Sequence, residues 1–302
     1  MRANAIVAGV NKAGTTSLFV SLSTHPEVAA ATVKETRYVL PARWGRRLEP
    51  VDVYESAFAA APTTTPVRLE ATPSYFYGGE PVIDAMRSVC GEDLRVMVVL
   101  REPVARFWSF FTFQKARLRI PDELSVEDYL AHADTLSDED FRVAEHERWF
   151  AFRGGCYADW LPAWHSAFGA RLQIVFFEDL MAEPARVLRA TAEFLGIDPD
   201  GFPSTSLASE NRTTGYKRAG LQRVALAFND RFERFLRRHY GLKERLRSAY
   251  YRLNGAARRE QLPPTARAML ADRYAEPNAR LARELVAMGV TDLPTWCAAP
   301  VA

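Results

Sequence analysis

The chain has 302 residues, 48% hydrophobic and 25% charged, a composition that excludes disordered, collagen-like and coiled-coil readings and leaves ample apolar material for a core. Lys and Arg total 39 against 37 Asp and Glu, and a net charge of +2 gives no electrostatic case for a nucleic-acid partner. The charge is unevenly spread, however: residues 211–260 hold fourteen Lys/Arg against four Asp/Glu, net +10, so some anion is expected to meet that segment.

Met1 and Arg2 lead directly into AIVAGV, with no basic n-region, long apolar h-region or small-residue cleavage site, so no leader is expected. Ala5 to Val10 is a short apolar, β-branched run predicted as a strand, and Thr15 to Ser23 reads as a helix start. Between them lies Gly9-Val-Asn-Lys12-Ala-Gly14, a glycine loop in the setting where unpaired backbone N–H groups and the helix dipole bind phosphate. A Walker loop carries Lys directly after its last glycine, whereas here Thr15 follows Gly14 and the cation, Lys12, stands two residues before it. Lys12 would then reach the far side of a 5′-phosphate, at the bridging oxygen where charge accumulates as a terminal group leaves. The plain alternative is a glycine turn with a solvated Lys. Lysine is scarce, occurring only at 12, 34, 115, 217 and 243, so its use in this loop suits a compact point charge that Arg would replace poorly. His25, in THPEV, is expected to cap or pack the end of the first helix.

Val67 to Glu70 and Leu94 to Leu100 are further predicted buried strands, each followed by a Pro-containing turn and a helical pattern. The second runs into Arg101-Glu-Pro-Val-Ala-Arg106-Phe-Trp-Ser109, which puts Arg101 at a strand's carboxyl end, where open α/β sheets bind ligands. An Arg fork with the Ser109 hydroxyl two helical turns on suits a second phosphate, such as one on a ribose, and Arg106 would pack or pair within the helix. An ordinary salt bridge is the alternative for Arg101. A magnesium-dependent kinase would want an Asp at such a strand end, and only Glu178-Asp179, after the predicted strand Leu172 to Phe177, would supply it.

A helix is predicted from about Pro184 to Leu195, then, beyond Asn211, a helical pattern with Arg among Leu, Phe and Tyr up to Leu253, and a last helix from Pro264 to Met288. Strands alternating with helices imply an α/β fold, a P-loop-type parallel sheet flanked by helices with a helical C-terminal extension. With no repeat or linker, residues 1–302 are expected to form a single domain in which 211–260 is an Arg-rich helical insertion or lid. The stretch 221–253 reads as an amphipathic helical pair with a solvated charged face, or as a surface for peripheral membrane contact. No apolar run reaches the roughly 18 residues of a transmembrane helix. Cys90, Cys156 and Cys297 lack metal-ligand spacing, and their odd number argues against a secreted disulfide framework, so a cytoplasmic location is expected. His132, His146, His165 and His239 show no metal spacing either, and no metal site is assigned. Trp108, Phe110, Phe111, Phe113, Trp149, Phe150, Trp160 and Trp164 read as core aromatics.

Taken together, AGVNKAGTTSL and LREPVARFWSFF resemble the 5′-phosphosulfate loop and the R-x-P-x-x-R-x-x-S 3′-phosphate motif of the sulfotransferases that use 3′-phosphoadenosine 5′-phosphosulfate (PAPS), especially the heparan-sulfate-type and bacterial relatives. The stretch from CYADWLPAWHSAFG to EFLGI and the closing LADRYAEPNARLARELVAMGVTDLPTW also resemble that family, so the likeness spans nearly the whole chain. It implies that Lys12, Ala13, Gly14, Thr15, Thr16 and Ser17 cradle the 5′-phosphosulfate, with Lys12 also catalytic, and that Arg101 and Ser109 hold the 3′-phosphate. Lys34-Glu35-Thr-Arg37-Tyr38 resembles the K-E-x-x-[FY] segment, whose Glu is the expected general base, here Glu35. Glu70-Ala-Thr72-Pro-Ser74-Tyr75 resembles a second acceptor-lining segment, so Lys34, Arg37, Tyr38, Thr72, Ser74 and Tyr75 would meet the acceptor; Ala71 stands where heparan-type enzymes carry Lys, and Phe111 where many relatives have Tyr. Asn211-Arg-Thr-Thr-Gly215-Tyr216 resembles the turn near the nucleotide, which implies that Tyr216 stacks on adenine, and Lys217-Arg218 or Arg258-Arg259 would replace the family's K-G-R loop. The implied activity is transfer of the sulfuryl group of PAPS to a hydroxyl or amine of a carbohydrate, glycolipid or secondary metabolite, releasing adenosine 3′,5′-bisphosphate without a metal. The alternatives are a P-loop kinase and a non-catalytic nucleotide-binding protein.

Overall fold

The protein is described as a computed structural model covering residues 1–203, 214–216, 218–232, 246, 249–257 and 260–297. The chain divides into two compact units, one drawn from 1–106, 154–211 and 273–302 and the other from 107–153 and 212–272. Five strands lie in the first: β1 (Ala5–Gly9), β2 (Val28–Ala30), β3 (Val67–Ala71), β4 (Arg95–Leu100) and β5 (Leu172–Phe176). The described helices are α1 (Thr15–Leu22), α2 (Val51–Glu55), α3 (Gly79–Cys90), α4 (Pro103–Ala116), α5 (Val126–Ala133), α6 (Leu161–Phe168), α7 (Phe177–Ala182), α8 (Pro184–Leu195), α9 (Ala219–Arg231) and α10 (Pro264–Ala287). None of them is long and apolar enough to cross a membrane.

The strands form one parallel sheet in the order β2-β3-β1-β4-β5. Every residue of β1 and every residue of β4 except Arg95 is buried, which is why these two runs are apolar without alternation: a parallel strand covered on both faces has no solvent side to mark with polar residues. Because the chain leaves β1 toward β2 and β3 and later returns to β4 on its other flank, the carboxyl ends of β1 and β4 meet where the strand order reverses, the place at which open α/β sheets take ligands. β2, only three residues long, is not foreshadowed by the sequence.

In the same unit, Trp164 stacks on Phe76 at 6.2 Å and on Phe168 at 5.7 Å while its indole donates to the Phe76 carbonyl. His25 is buried with both nitrogens engaged: Nδ1 accepts from the Glu27 amide at 3.1 Å, so Nε2 carries the proton and donates to the Asp198 carbonyl at 2.8 Å. Its place is structural. The second unit has its own aromatic cluster, with Tyr129 edge-on to Phe107 and Phe111 and its hydroxyl donating to the Arg148 carbonyl. There β6 (Thr214–Tyr216) pairs antiparallel with β7 (Gly255–Ala257), and the buried Asn254 side chain bonds both backbone groups of Arg218.

Candidate nucleotide and acceptor site

β1 ends at Gly9, residues 11–14 turn, and α1 begins at Thr15. Gly14 is the N-cap of α1, in a left-handed conformation with φ 80°, and no side chain caps the helix. The first amides of α1 therefore keep their donors outward while the helix dipole adds partial positive charge. The contrast with α4 is informative. There the Glu102 carboxylate accepts from the Val104 amide at 3.1 Å and the Ala105 amide at 2.5 Å, closing that terminus with the protein's own anion. At α1 no side chain takes that place, so the terminus is open to an anion. Ala13, Thr15 and Ser17 are buried, so they offer backbone rather than side chains, and Thr16 is half-buried. Lys12, half-buried, is itself left-handed with φ 72°, a conformation costing a non-glycine residue on the order of 1–3 kcal/mol and held by its surroundings.

Gly14 is required twice over, by its φ and by space, since a Cβ there would lie 2.6 Å from Phe177 Cδ2. Gly14→Ala is expected to destabilise the fold by about 2–5 kcal/mol, the sum of a left-handed penalty and overpacking. A thermal melt unchanged within a degree would show that the loop relaxes instead.

The surroundings that hold the loop are two arginines. Arg101 Nη1 donates to the Lys12 carbonyl at 3.0 Å, and Arg106 Nε donates to the Asn11 carbonyl at 3.2 Å. Arg101 lies over the Phe177 ring at 4.4 Å, its own carbonyl accepts from the Tyr157 hydroxyl, and among the described residues it makes no salt bridge. Its Nε is buried without a hydrogen-bond partner. Burial pushes the Arg101 pKa down, with the Glu178 carboxylate opposing. A half-buried cation with a buried, orphaned donor, tied to the loop, is what an anion at that loop would complete. Arg106, 0% exposed, lies over the Tyr77 ring and against Gly154, so it is a brace for the loop where sequence reading assigned only helix packing or pairing.

The carboxylates a kinase would use are held by protein partners, although Glu178 Oε2 is buried without one. Glu178 Oε1 accepts from the Glu102 amide at 2.9 Å, and Asp179 pairs with Arg186 at 3.6 Å. Among the described residues no cluster of three or more His, Cys, Asp or Glu is arranged to hold a metal.

Glu35 follows β2 on a turn anchored by its amide to the Ala71 carbonyl at 2.9 Å. Its two carboxylate oxygens are each met by a cation, Oε1 by Lys34 Nζ at 3.2 Å and Oε2 by Arg37 Nη2 at 3.1 Å. Burial alone would raise its pKa, but Lys34 and Arg37 outweigh burial and bring it down to about 2. The pairs formed by a lowered carboxyl contribute fully above its ordinary value of 4.5 and are lost as pH falls toward 2.

The second acceptor-lining segment lies differently from the reading given to it above. Thr72 and Tyr75 are 0% exposed, and both hydroxyls donate to the buried Glu70 carboxylate, at 2.8 and 3.0 Å. Tyr38 is also buried, its hydroxyl donating to the Glu49 carbonyl and its ring stacked on Tyr54 at 4.8 Å. These three therefore shape the ground under Glu35 rather than offering hydroxyls outward. Ser74 is half-buried and Arg37 is exposed. The sequence reading gave no role to Glu70, Thr36 or Tyr54, although an acid inside the apolar strand VRLEA is a readable signal, since a carboxylate is rarely buried without partners.

The remaining expected residues belong to the second unit. Ser109 lies on α4, half-buried, and its carbonyl accepts from Thr112. Tyr216 is in β6, half-buried, and Arg218 is exposed at the start of α9. Lys217, Arg258 and Arg259 lie outside the described residues.

A family model described as "Sulfotransferase domain" matches residues 2–214. The heparan sulfate glucosamine 3-O-sulfotransferase 3B1 of Mus musculus is 31% identical over 199 residues, 64% of this chain and 46% of its own length, and the human 3B1 is 30% identical over the same span. The chain thus spans about half the length of the curated relatives it matches. A sulfotransferase from Alicyclobacillus acidocaldarius, 21% identical, superposes with a TM-score of 0.70 over 98% of this chain and 99% of its own, which establishes a shared fold.

Proposed function

The chain belongs to the sulfotransferase domain family, and from that premise we propose that it moves the sulfuryl group of PAPS to a hydroxyl or amine of a small-molecule, glycan or glycolipid acceptor, releasing adenosine 3′,5′-bisphosphate. The observation that carries the proposal is the coupling of Arg101 to the Lys12 carbonyl. A half-buried cation whose Nε lacks a partner and an uncapped helix terminus then form a single anion-binding unit at the carboxyl ends of β1 and β4.

Bound PAPS supplies an activated sulfuryl group, and the chain supplies the rest. The amides of Gly14 to Ser17 hold the 5′-phosphosulfate, and Arg101 answers the 3′-phosphate with charge-assisted hydrogen bonds. Lys12 neutralises the negative charge that develops on the leaving phosphate oxygen. Glu35 removes the acceptor proton, and Lys34, Arg37 and Ser74 line its approach. Ser109 for the 3′-phosphate, and Tyr216, Lys217 and Arg218 for the nucleotide, are part of the same proposal on the strength of their motifs. We also propose that residues 1–302 serve as one sulfotransferase-like domain.

The testing experiment is a transfer assay with labelled PAPS against a panel of carbohydrate, glycolipid and phenolic acceptors, run with and without excess chelator. A labelled product formed equally in chelator is expected. No product from any acceptor, with adenosine 3′,5′-bisphosphate still bound, would leave a non-catalytic binder, and turnover restored only by magnesium would contradict metal-independent chemistry.

We further propose a cytoplasmic location, supported by three free thiols of which Cys90 and Cys297 are pushed up by burial to about 12 and about 11, and peripheral contact with anionic membranes through 221–253. The contact is supported by Leu221, Val224 and Phe228 along α9 and Phe232 just after it, which stand exposed at helical spacing within the 211–260 segment of net +10. Cosedimentation with phosphatidylserine vesicles, abolished in Val224→Asp and in Arg223→Glu, is expected. No sedimentation of the parent protein would end this reading.

A further inference from the structure

Glu70, 1% exposed, is a buried carboxylate that has no part in the chemistry above and, among the described residues, no cation paired with it. Four hydroxyls surround it instead: Oε1 accepts from Thr36 at 2.5 Å, Thr72 at 2.8 Å and Tyr75 at 3.0 Å, and Oε2 accepts from Tyr54 at 2.7 Å. Burying a carboxyl group is costly unless hydrogen bonds compensate it, and four O–H donors do so here.

The direction of those bonds matters more than their number. Each of these hydroxyls donates its single proton to Glu70 and can offer only lone pairs elsewhere. Those lone pairs meet backbone amides of the turn that carries Glu35. The Arg37 amide donates to Thr72 Oγ1 at 3.3 Å, the Tyr38 amide to Thr36 Oγ1 at 3.3 Å, and the Val39 amide to the Tyr75 hydroxyl at 3.4 Å. The same turn contains two non-glycine left-handed residues, Glu35 with φ 62° and Arg37 with φ 56°. Each such residue costs on the order of 1–3 kcal/mol and persists only where neighbouring contacts over-determine it.

We propose that Glu70 is a positioning residue for Glu35: by fixing the direction of three hydroxyls, it holds residues 35–39 in their strained turn and so aims the Glu35 carboxylate. The proposal rests on Glu35 being the base. Glu70→Gln replaces one acceptor oxygen with an amide donor, which reverses at least one hydroxyl and weakens the rest of the array. The turn, released from part of its hold, would relax by a fraction of an ångström, and misplacement on the order of 1 Å costs a reaction up to about 100-fold.

The test is a double-mutant cycle on kcat from single-turnover transfer of labelled PAPS, with affinity for adenosine 3′,5′-bisphosphate measured alongside. Glu70→Gln is expected to lower kcat roughly 10–100-fold with nucleotide affinity within about twofold, and to add less than about twofold when Glu35 is already Gln, because an aimed group that is absent cannot be misaimed. Should Glu70→Gln fold poorly, Thr36→Val is expected to reproduce the loss and Thr36→Ser, which restores the hydroxyl, to recover it. An independent loss of the same size in the Glu35→Gln background, or equal losses in Thr36→Val and Thr36→Ser, would assign Glu70 to general stability and overturn the proposal. An unchanged rate in Glu70→Gln beside a slow Glu35→Gln would overturn the positioning role alone, whereas normal turnover in Glu35→Gln would remove the base assignment itself.

Discussion

Lys12→Ala is expected to lower kcat by about 10²–10³-fold while weakening adenosine 3′,5′-bisphosphate less than about tenfold, because a cation aimed at charge that develops during reaction acts mainly on the transition state. The structure gives two reasons to expect this split. The donors of α1 and the Arg101 guanidinium do not depend on the Lys12 side chain, so the phosphates keep their other partners. The left-handed Lys12 backbone, meanwhile, is fixed at its carbonyl by Arg101, so the side chain departs from a held point rather than a mobile one. Lys12→Arg should recover little, since a planar fork cannot take the place of a point charge on a compact stem. Rate by labelled transfer and affinity by calorimetry check it together. Equal losses in both would make Lys12 a binding cation and nothing more.

Glu35→Gln is expected to reduce turnover by about 10²–10⁴-fold, the usual worth of a positioned general base, with nucleotide affinity retained. Its effect on the melting temperature should be small, because the Lys34 and Arg37 pairs it breaks are partly open to solvent. The pH dependence follows from the same pairs. With its carboxyl lowered to about 2, Glu35 is ionised in the free enzyme at every practical pH, so kcat/KM should show no acid limb from this group between about pH 4 and 7. Near-normal turnover in Glu35→Gln would move the base elsewhere, and an acid limb near pH 6 that vanished in that variant would show that the two cations do not hold it in solution.

The parts of this site legible in the sequence are those whose chemistry is local. A strand, a glycine loop and a helix can be read from eighteen consecutive residues, and the apolar runs of β1 and β4 announced a parallel sheet because both faces of those strands are covered. Arg101 was placed at a strand end for the same reason. What the sequence did not show depends on distance along the chain. Arg106 reaches back to the Asn11 carbonyl, and Thr36, Tyr54, Thr72 and Tyr75 converge on Glu70 from three separate segments. Thr72 and Tyr75 were read as acceptor contacts because they are polar residues in a matching motif, yet a hydroxyl can as readily face a buried carboxylate, and only the packing tells which. β2 escaped notice because three residues carry too little periodicity to register.

The most direct measurement is a calorimetric titration of the protein with adenosine 3′,5′-bisphosphate, AMP and ATP, repeated with Arg101→Ala. A preference of about 10–100-fold for adenosine 3′,5′-bisphosphate over AMP, the worth of one or two charge-assisted hydrogen bonds, is expected, and it should disappear in Arg101→Ala. Clean binding of ATP with no heat from adenosine 3′,5′-bisphosphate would contradict a phosphosulfate loop.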